Sequence, residues 1–131
     1  MDTREYDLEQ RLLAYAAMIV RLTEELDNSR AGNHVAGQLL RSGTSPLFNH
    51  GEAVAAESRK DFVHKMRICL KELRESRRAL LLAKRVPLIQ PESKIDPALD
   101  ETEQLIKIFF VSIRTANNTV REDPTPNYNA T

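Results

Sequence analysis

The most regular helical pattern of the chain covers residues 58–86, which read SRKDFVHKMRICLKELRESRRALLLAKRV. Ser58 and Asp61 supply a cap and an acidic side chain for the first turn, and Pro87 stops the pattern. The positions that follow spacings of 4 and 3 residues are apolar or small: Phe62, Met66, Cys69, Leu73, Ser76, Leu80 and Ala83. This spacing places them on one face of a helix, so the sequence predicts a long amphipathic helix here.

The stretches on either side of this helix also carry helical repeats. Residues 1–31 and 98–123 contain neither glycine nor proline, and apolar side chains recur in both at spacings of 3 and 4. Residues 105–113 are apolar on nearly all sides, which is also typical of a buried strand, but no hairpin turn lies nearby and we predict helix. Asp96 and Pro97 are predicted to be the N-cap and the first-turn proline of this last helix.

Another helix is predicted before the long one, although residues 32–51 hold all four glycines of the chain and Pro46. Proline lacks a backbone donor, so helix two is predicted to be kinked or split near Pro46, with Ser45 as a cap if it is split. Four helices with short connections predict an all-α, antiparallel up-and-down four-helix bundle. We assign residues 1–122 to this bundle and residues 123–131 to a disordered C-terminal tail.

Length and composition agree with one domain of an ordinary globular protein. The chain has 131 residues, of which 41% are hydrophobic and 29% are charged. The longest apolar run, residues 12–20, is too short to span a bilayer and follows an acidic segment unlike a signal peptide. A single cysteine, Cys69, excludes an internal disulfide and fits a reducing compartment. We therefore expect a cytoplasmic protein without a membrane partner.

The net charge of zero hides a separation of charge along the chain. Residues 1–58 sum to −4, residues 59–85 to +7 and residues 86–131 to −3. Several cations of the long helix lie 3 or 4 residues apart, and such a stripe can hold the phosphates of a nucleic acid. The predicted nucleic-acid contacts are Arg59, Lys60, Arg67, Lys71, Arg74 and Arg78.

The same stripe has a second interpretation, in which the acidic residues of helices one and four neutralise it. These acids would face the cations within the bundle or between subunits. They include Glu9, Glu24, Asp100, Glu101 and Glu103. We favour this intramolecular interpretation over RNA binding because the whole chain is neutral and because charged stripes usually serve solubility and register.

Motifs for catalysis and for cofactors are missing. A di-iron bundle needs paired Glu-x-x-His motifs, and the nearest candidates, Asp61 with His64 and His50 beside Glu52, have no matching partners in sequence. Phosphate-loop and dinucleotide fingerprints are also absent. Cys69 lies on the apolar stripe, which predicts a small buried side chain rather than a nucleophile. We predict no enzymatic activity, no metal and no cofactor.

Polar residues of helix two form another candidate site. Continuing the spacing from Leu39 brings Asn49 into the interior near Glu52. Buried polar groups need partners, which Arg41 or a cation of the long helix is expected to supply. Arg41, Asn49 and Glu52 are predicted to fix register or oligomeric state, or to line a pocket with His50. The alternative is that Asn49 and Glu52 only hydrogen-bond at a helix kink.

Residues 39–73 carry a resemblance to a known family. They read LLRSGTSPLFNHGEAVAAESRKDFVHKMRICLKEL and resemble the segment LLRSxTSxxxNxAEAxxAESRKDFxHKxxIxLKE of the 23S rRNA intervening-sequence proteins. The matching residues are Arg41, Ser42, Thr44, Ser45, Asn49, Glu52, Ala53, Glu57, Ser58, Arg59, Lys60, Asp61, Phe62, His64, Lys65, Ile68, Leu70, Lys71 and Glu72. Pro46, Leu47, Phe48 and Gly51 depart from the smaller or smoother helix residues usual there.

The resemblance implies an antiparallel four-helix bundle that assembles as a ring-like homopentamer. It also implies a partner that is RNA or a nucleic-acid-handling protein, because a related branch serves diversity-generating retroelements, where a strongly basic pentamer binds nucleic acid and a reverse transcriptase. The present chain is neutral overall, unlike that branch. The leading hypothesis is therefore a noncatalytic homo-oligomeric interaction scaffold, and the alternative is an RNA-binding protein that uses the basic stripe.

Overall fold

A computed structural model describes the backbone of residues 3–122 and the side chains of residues 7–118. It contains four α-helices: α1 (Thr3–Thr23), α2 (Arg30–Val54), α3 (Arg59–Arg85) and α4 (Asp96–Glu122). A short 3-10 helix, Glu92–Ile95, lies between α3 and α4. The prediction of an all-α bundle is confirmed. The predicted disordered tail, residues 123–131, lies outside the described residues.

Local sequence signals explain where these helices begin. The Ser58 side chain accepts a hydrogen bond from the Asp61 backbone N–H at 3.0 Å, as predicted. Ser29 caps α2 in the same way through the N–H of Gly32, also at 3.0 Å. Asp96 differs from the prediction, because it already has helical backbone angles and is the first residue of α4. The preceding 3-10 helix leads directly into α4, which leaves no extended cap residue.

Helix α2 is one helix that includes Pro46, so of the two predicted alternatives it is not split. Pro46 is buried, and the Cys69 thiol of α3 donates to its carbonyl oxygen at 3.6 Å. Ser45 is therefore not the cap of a new helix. Packing of α2 along both α1 and α3 maintains the helix across a residue that disfavours it locally.

Ion pairs between helices show that α2 runs antiparallel to α3 and that α3 runs antiparallel to α4. Arg41 pairs with Glu75 and Glu52 pairs with Lys65, so residue numbers rise along α2 as they fall along α3. Arg77 pairs with Glu103 and Lys84 with Asp96, so residue numbers also rise along α3 as they fall along α4. The Arg11–Glu101 pair joins α1 to α4. Helix α1 packs on α2, α2 on α3 and α3 on α4, and α1 also contacts α4.

One hydroxyl side chain from each helix meets in the core. Thr102 donates its only hydroxyl hydrogen to the carbonyl of Ala98 at 2.7 Å, so Tyr15 is the donor in its 2.6 Å bond to Thr102. The hydroxyls of Ser76 and Ser42 lie 2.8 Å apart, and Ser76 is close enough to Tyr15 to affect its ionisation. Burial is the main cause that raises the pKa of Tyr15. This hydroxyl layer fixes the register of the four helices within an otherwise apolar core.

Candidate nucleic-acid interface

The charged side chains of α3 are divided between its two edges. Glu72 and Glu75 lie on the edge next to α2, where the Arg41 guanidinium donates to both carboxylates, at 2.9 and 2.8 Å. Lys65 donates to Glu52 of α2 at 2.7 Å, a hydrogen bond that raises the pKa of Lys65. Glu72 and Glu75 are thus paired with Arg41 of α2, and neither forms an ion pair with the cations on the other edge of α3.

Most cations of the predicted basic stripe of α3 form no ion pair with the described acidic side chains. Arg77 pairs with Glu103 at 3.0 Å and Lys84 with Asp96 at 2.7 Å, so helix four supplies some of the acids expected. Glu101 pairs with Arg11 of α1 instead. Among the side chains described for residues 7–118, none forms an ion pair with the six predicted contacts, Arg59, Lys60, Arg67, Lys71, Arg74 and Arg78. None of these six cations is therefore in a direct ion pair within the described part of the bundle.

A groove between α3 and α4 brings four of the six together. It consists of two adjoining depressions of about 420 and 480 Å³, with Arg74 shared between them. The cations that line it are Arg67, Lys71, Arg74, Arg77 and Arg78 from α3, with Lys107 and Arg114 from α4. Glu103 is the acid that lines it, against these seven cations. We call this surface the basic groove; its charge makes it an anion-binding surface.

Helix α4 contributes residues that the sequence analysis did not select. Phe110 is 48% exposed in the basic groove, and the Arg114 guanidinium carbon lies 5.6 Å from its ring centroid. Lys107, Phe110 and Arg114 are spaced by 3 and 4 residues, which is the signal that could have indicated a shared face. The apolar run at residues 105–113 predicts the buried side of this helix and does not distinguish Phe110 as an exposed residue.

Arg59 and Lys60 are not part of the basic groove. Both are exposed residues in the first turn of α3. Arg59 lines a separate depression at the connection between α2 and α3, together with Glu57 and Phe62. The structure therefore retains Arg67, Lys71, Arg74 and Arg78 as a single surface and places the other two predicted contacts nearer the end of the bundle.

The polar cluster predicted on α2 does not form one pocket. The side-chain amide of Asn49 donates to the carbonyl and to the hydroxyl of Ser45, at 3.1 and 2.8 Å, within its own helix. Glu52 is exposed and bonds to Lys65, whereas Arg41 bonds to α3 two to three turns closer to the C-terminal end of that helix. A cation of the long helix, Lys65, pairs with Glu52, whereas Arg41 pairs with Glu72 and Glu75 and not with Asn49 or Glu52. Asn49 has only the local bonds of the alternative prediction.

Two titratable side chains, His50 and Cys69, are buried in the core. His50 is in the core, with its ring edge-to-face against Phe109 at 6.2 Å, and is separated from the exposed Glu52. Burial raises the pKa of the Cys69 thiol to about 12, so this cysteine is a protonated core residue at neutral pH. Within the described residues, no three His, Cys, Asp or Glu side chains form a group that could hold a metal ion.

The opposite side of the bundle carries an apolar face on α1 and α2. Leu13 and Val20 are seven residues apart on α1, on the edge away from Arg11, which contacts α4. Leu40 and Val54 lie on the edge of α2 that faces α1, close on the helix to Gly43, which approaches Ile19 of α1. Phe48 is 66% exposed but lies two turns from Arg41, away from this edge. We call the four exposed residues Leu13, Val20, Leu40 and Val54 the α1/α2 face. No helix of residues 3–122 has the length and apolar character needed to cross a membrane.

The chain is similar to a protein family and to a solved structure. A family model described as 23S rRNA-intervening sequence protein matches residues 4–110. The chain is also similar to a crystal structure of a protein with unknown function from the S23 ribosomal protein family of Bacteroides thetaiotaomicron VPI-5482. Those two chains are 31% identical with a TM-score of 0.77, and the match covers 86% of this chain and 99% of the other. No curated protein matches the chain.

Proposed function

Because the chain belongs to the 23S rRNA-intervening sequence protein family, we propose that it is a noncatalytic homo-oligomeric bundle that serves as an interaction scaffold. The observation that carries this proposal is the α1/α2 face. Large apolar side chains that remain in water gain about 25 cal/mol per Å² when a partner covers them. A second copy of the chain is the proposed partner, and the resemblance noted in the sequence implies a ring of five.

The geometry of a ring determines how this face is used. A closed ring with more than two subunits has head-to-tail interfaces, so the α1/α2 face of one copy contacts a different surface of the next. A charge introduced into the face would then be buried in every interface of the ring at once. Since an unpaired buried charge costs several kcal/mol, one such substitution is expected to dissociate the assembly.

Sedimentation velocity of two face variants tests this proposal. Leu13→Glu and Leu40→Glu each place a carboxylate on the α1/α2 face, and both are expected to sediment as monomers with an unchanged helical circular dichroism spectrum. Gln38→Glu adds the same charge at an exposed position on the other edge of α2 and is expected to sediment like the unmodified protein. Face variants that assemble as fully as Gln38→Glu would contradict the role of this face.

A second candidate function is RNA binding through the basic groove. The observation that favours it is that Arg67, Lys71, Arg74 and Arg78 have no acidic partner among the described side chains. Successive members lie 3 or 4 residues apart, which is about 4.5 to 6 Å along the helix axis. Phosphates of a nucleic acid strand are separated by distances of this order, so neighbouring cations can each neutralise one phosphate.

Charge reversal in the groove tests RNA binding directly. Lys71→Glu, Arg74→Glu and Arg78→Glu together are expected to abolish the fluorescence-polarisation signal of a labelled structured RNA. Reversal of Arg21, Arg30 and Lys94, which lie outside the groove, changes the net charge equally and is expected to preserve most of the binding. Equal loss in both triple variants would contradict a site in the groove.

The two functions are compatible because they use opposite sides of the bundle. In a ring that also binds RNA, the α1/α2 face of one copy therefore contacts a surface of the next copy other than the basic groove. We also propose that the protein acts in the cytoplasm, where the thiol of Cys69 remains reduced.

A further inference from the structure

We infer that the basic groove binds single-stranded RNA, with Phe110 as a platform on which one base stacks. This inference rests on the second candidate function, RNA binding, and specifies the form of RNA that the groove selects. The observation behind it is an exposed aromatic ring set among cations: Phe110 lies in the depression of about 480 Å³, which Arg67, Lys71, Arg74 and Arg114 also line.

Phe110 is an exposed aromatic side chain on the groove side of α4. The core of α4 already contains Phe109, which is fully buried, and the next side chain, Phe110, is directed into the groove, where about half of it contacts solvent. Arg114 covers part of the ring, with its guanidinium 5.6 Å from the ring centroid. A base that stacks on the ring would therefore be close to a guanidinium, which can also stack on the base.

The dimensions of the groove suit a nucleotide. The depression around Phe110 has a volume of about 480 Å³, within the range of 300 to 1,000 Å³ common for small-molecule sites. Its cations can bind the flanking phosphates, and Asn117 and Asn118 place side-chain amides at its other end. An amide can donate and accept at once, so it can hydrogen-bond to the edge of a base.

These features favour a single strand over a duplex. Bases in a duplex are stacked on one another and present only their edges, so they cannot lie flat on Phe110. Proteins that bind single strands combine a cationic groove for the backbone with aromatic rings for the bases. Duplex RNA is contacted through its backbone and minor groove, which requires no exposed aromatic ring.

Tryptophan at position 110 provides a direct reporter, because the chain contains no tryptophan. Phe110→Trp keeps an aromatic platform and introduces a single fluorophore. A single-stranded RNA of about 12 nucleotides made only of A and C, which cannot fold on itself, is expected to quench this fluorescence by stacking. The quenching should disappear at high salt, and a duplex of the same length should leave the emission unchanged.

Binding measurements with matched variants complete the test. Phe110→Ala is expected to weaken binding of the same single strand by about 5- to 100-fold, since stacking on an aromatic ring contributes that much per base. Phe110→Trp should restore it. Val111→Ala alters the next exposed apolar residue, which does not line the groove, and is expected to bind like the unmodified protein.

The outcomes separate this inference from RNA binding in general. Binding that is lost on charge reversal but is unaffected by Phe110→Ala, or a preference for the duplex, would overturn the stacking platform and leave RNA binding intact. If neither RNA form shows binding by polarisation, both proposals fail. If Phe110→Ala changes the sedimentation of the protein without RNA, the ring is a subunit contact and the inference is wrong.

Discussion

Replacing Lys71, Arg74 and Arg78 with glutamine removes three cations from the basic groove and leaves the backbone of α3 unchanged. Seven cations line the groove, and Glu103 already neutralises Arg77, so six are available to phosphates. For a single strand, each phosphate contact lowers the slope of log K against log salt by about 0.7, which gives a slope of about −4. The triple variant retains three available cations, and its slope is expected to be about −2.

These slopes correspond to large differences in affinity. Between about 50 and 200 mM salt, the unmodified protein should lose about 300-fold in affinity for the single strand, and the variant only about 20-fold. Fluorescence polarisation across this range measures both slopes. A control triple of Arg21→Gln, Arg30→Gln and Lys94→Gln has the same net charge and should retain the steeper slope. Equal slopes for the three proteins would refute the assignment of phosphate contacts to the groove.

Three further predictions concern the bundle itself and are checked by urea denaturation. Tyr15→Phe and Thr102→Val should each lower the free energy of unfolding by about 1 to 3 kcal/mol, and the double variant should cost less than their sum; strict additivity would contradict the hydroxyl layer. Gly43→Ala should lower the free energy of unfolding by about 1 to 2 kcal/mol, because the added Cβ would lie 2.6 Å from Ile19. Gly37→Ala should raise the free energy of unfolding, because nothing lies within 4 Å of its added Cβ. Equal effects of the two substitutions would contradict the close approach of α1 and α2 at Gly43. Folding raises the pKa of Cys69 from 9.0 to about 12, so the unfolded chain loses its proton first and stability should fall by about 1.4 kcal/mol per unit between those pH values. Cys69→Ala should flatten this fall, and parallel pH profiles would contradict it.

The helices and the buried face of α3 could be predicted because local signals and helical spacing determine them. Ser58 caps α3 as predicted. Of the seven residues on the predicted apolar stripe of α3, six are buried and Phe62 is half-buried. Pro46 shows the limit of local reasoning. The residue disfavours a helix interior, yet contacts with the neighbouring helices extend on both sides of it, and this packing decides the outcome.

The candidate site could be predicted only in part because it is shared between two helices. Spacing within α3 predicts Arg67, Lys71, Arg74 and Arg78 on one side, and in the structure they line two adjoining depressions between α3 and α4. The spacing does not indicate that Glu72 and Glu75 form ion pairs with Arg41 of α2. Nor does it indicate that Phe110 and Arg114 of α4 line the same groove. Such pairings depend on how the helices are rotated against each other, which the pattern of one helix does not specify.

The most direct test of the proposed scaffold is the mass of the unmodified protein in solution. Static light scattering coupled to size exclusion, at micromolar protein concentration, measures it without reference to molecular shape. We predict a single species of about five times the monomer mass of 14.9 kDa, with no change on dilution through the micromolar range. A species of 14.9 kDa throughout that range would contradict the homo-oligomeric scaffold.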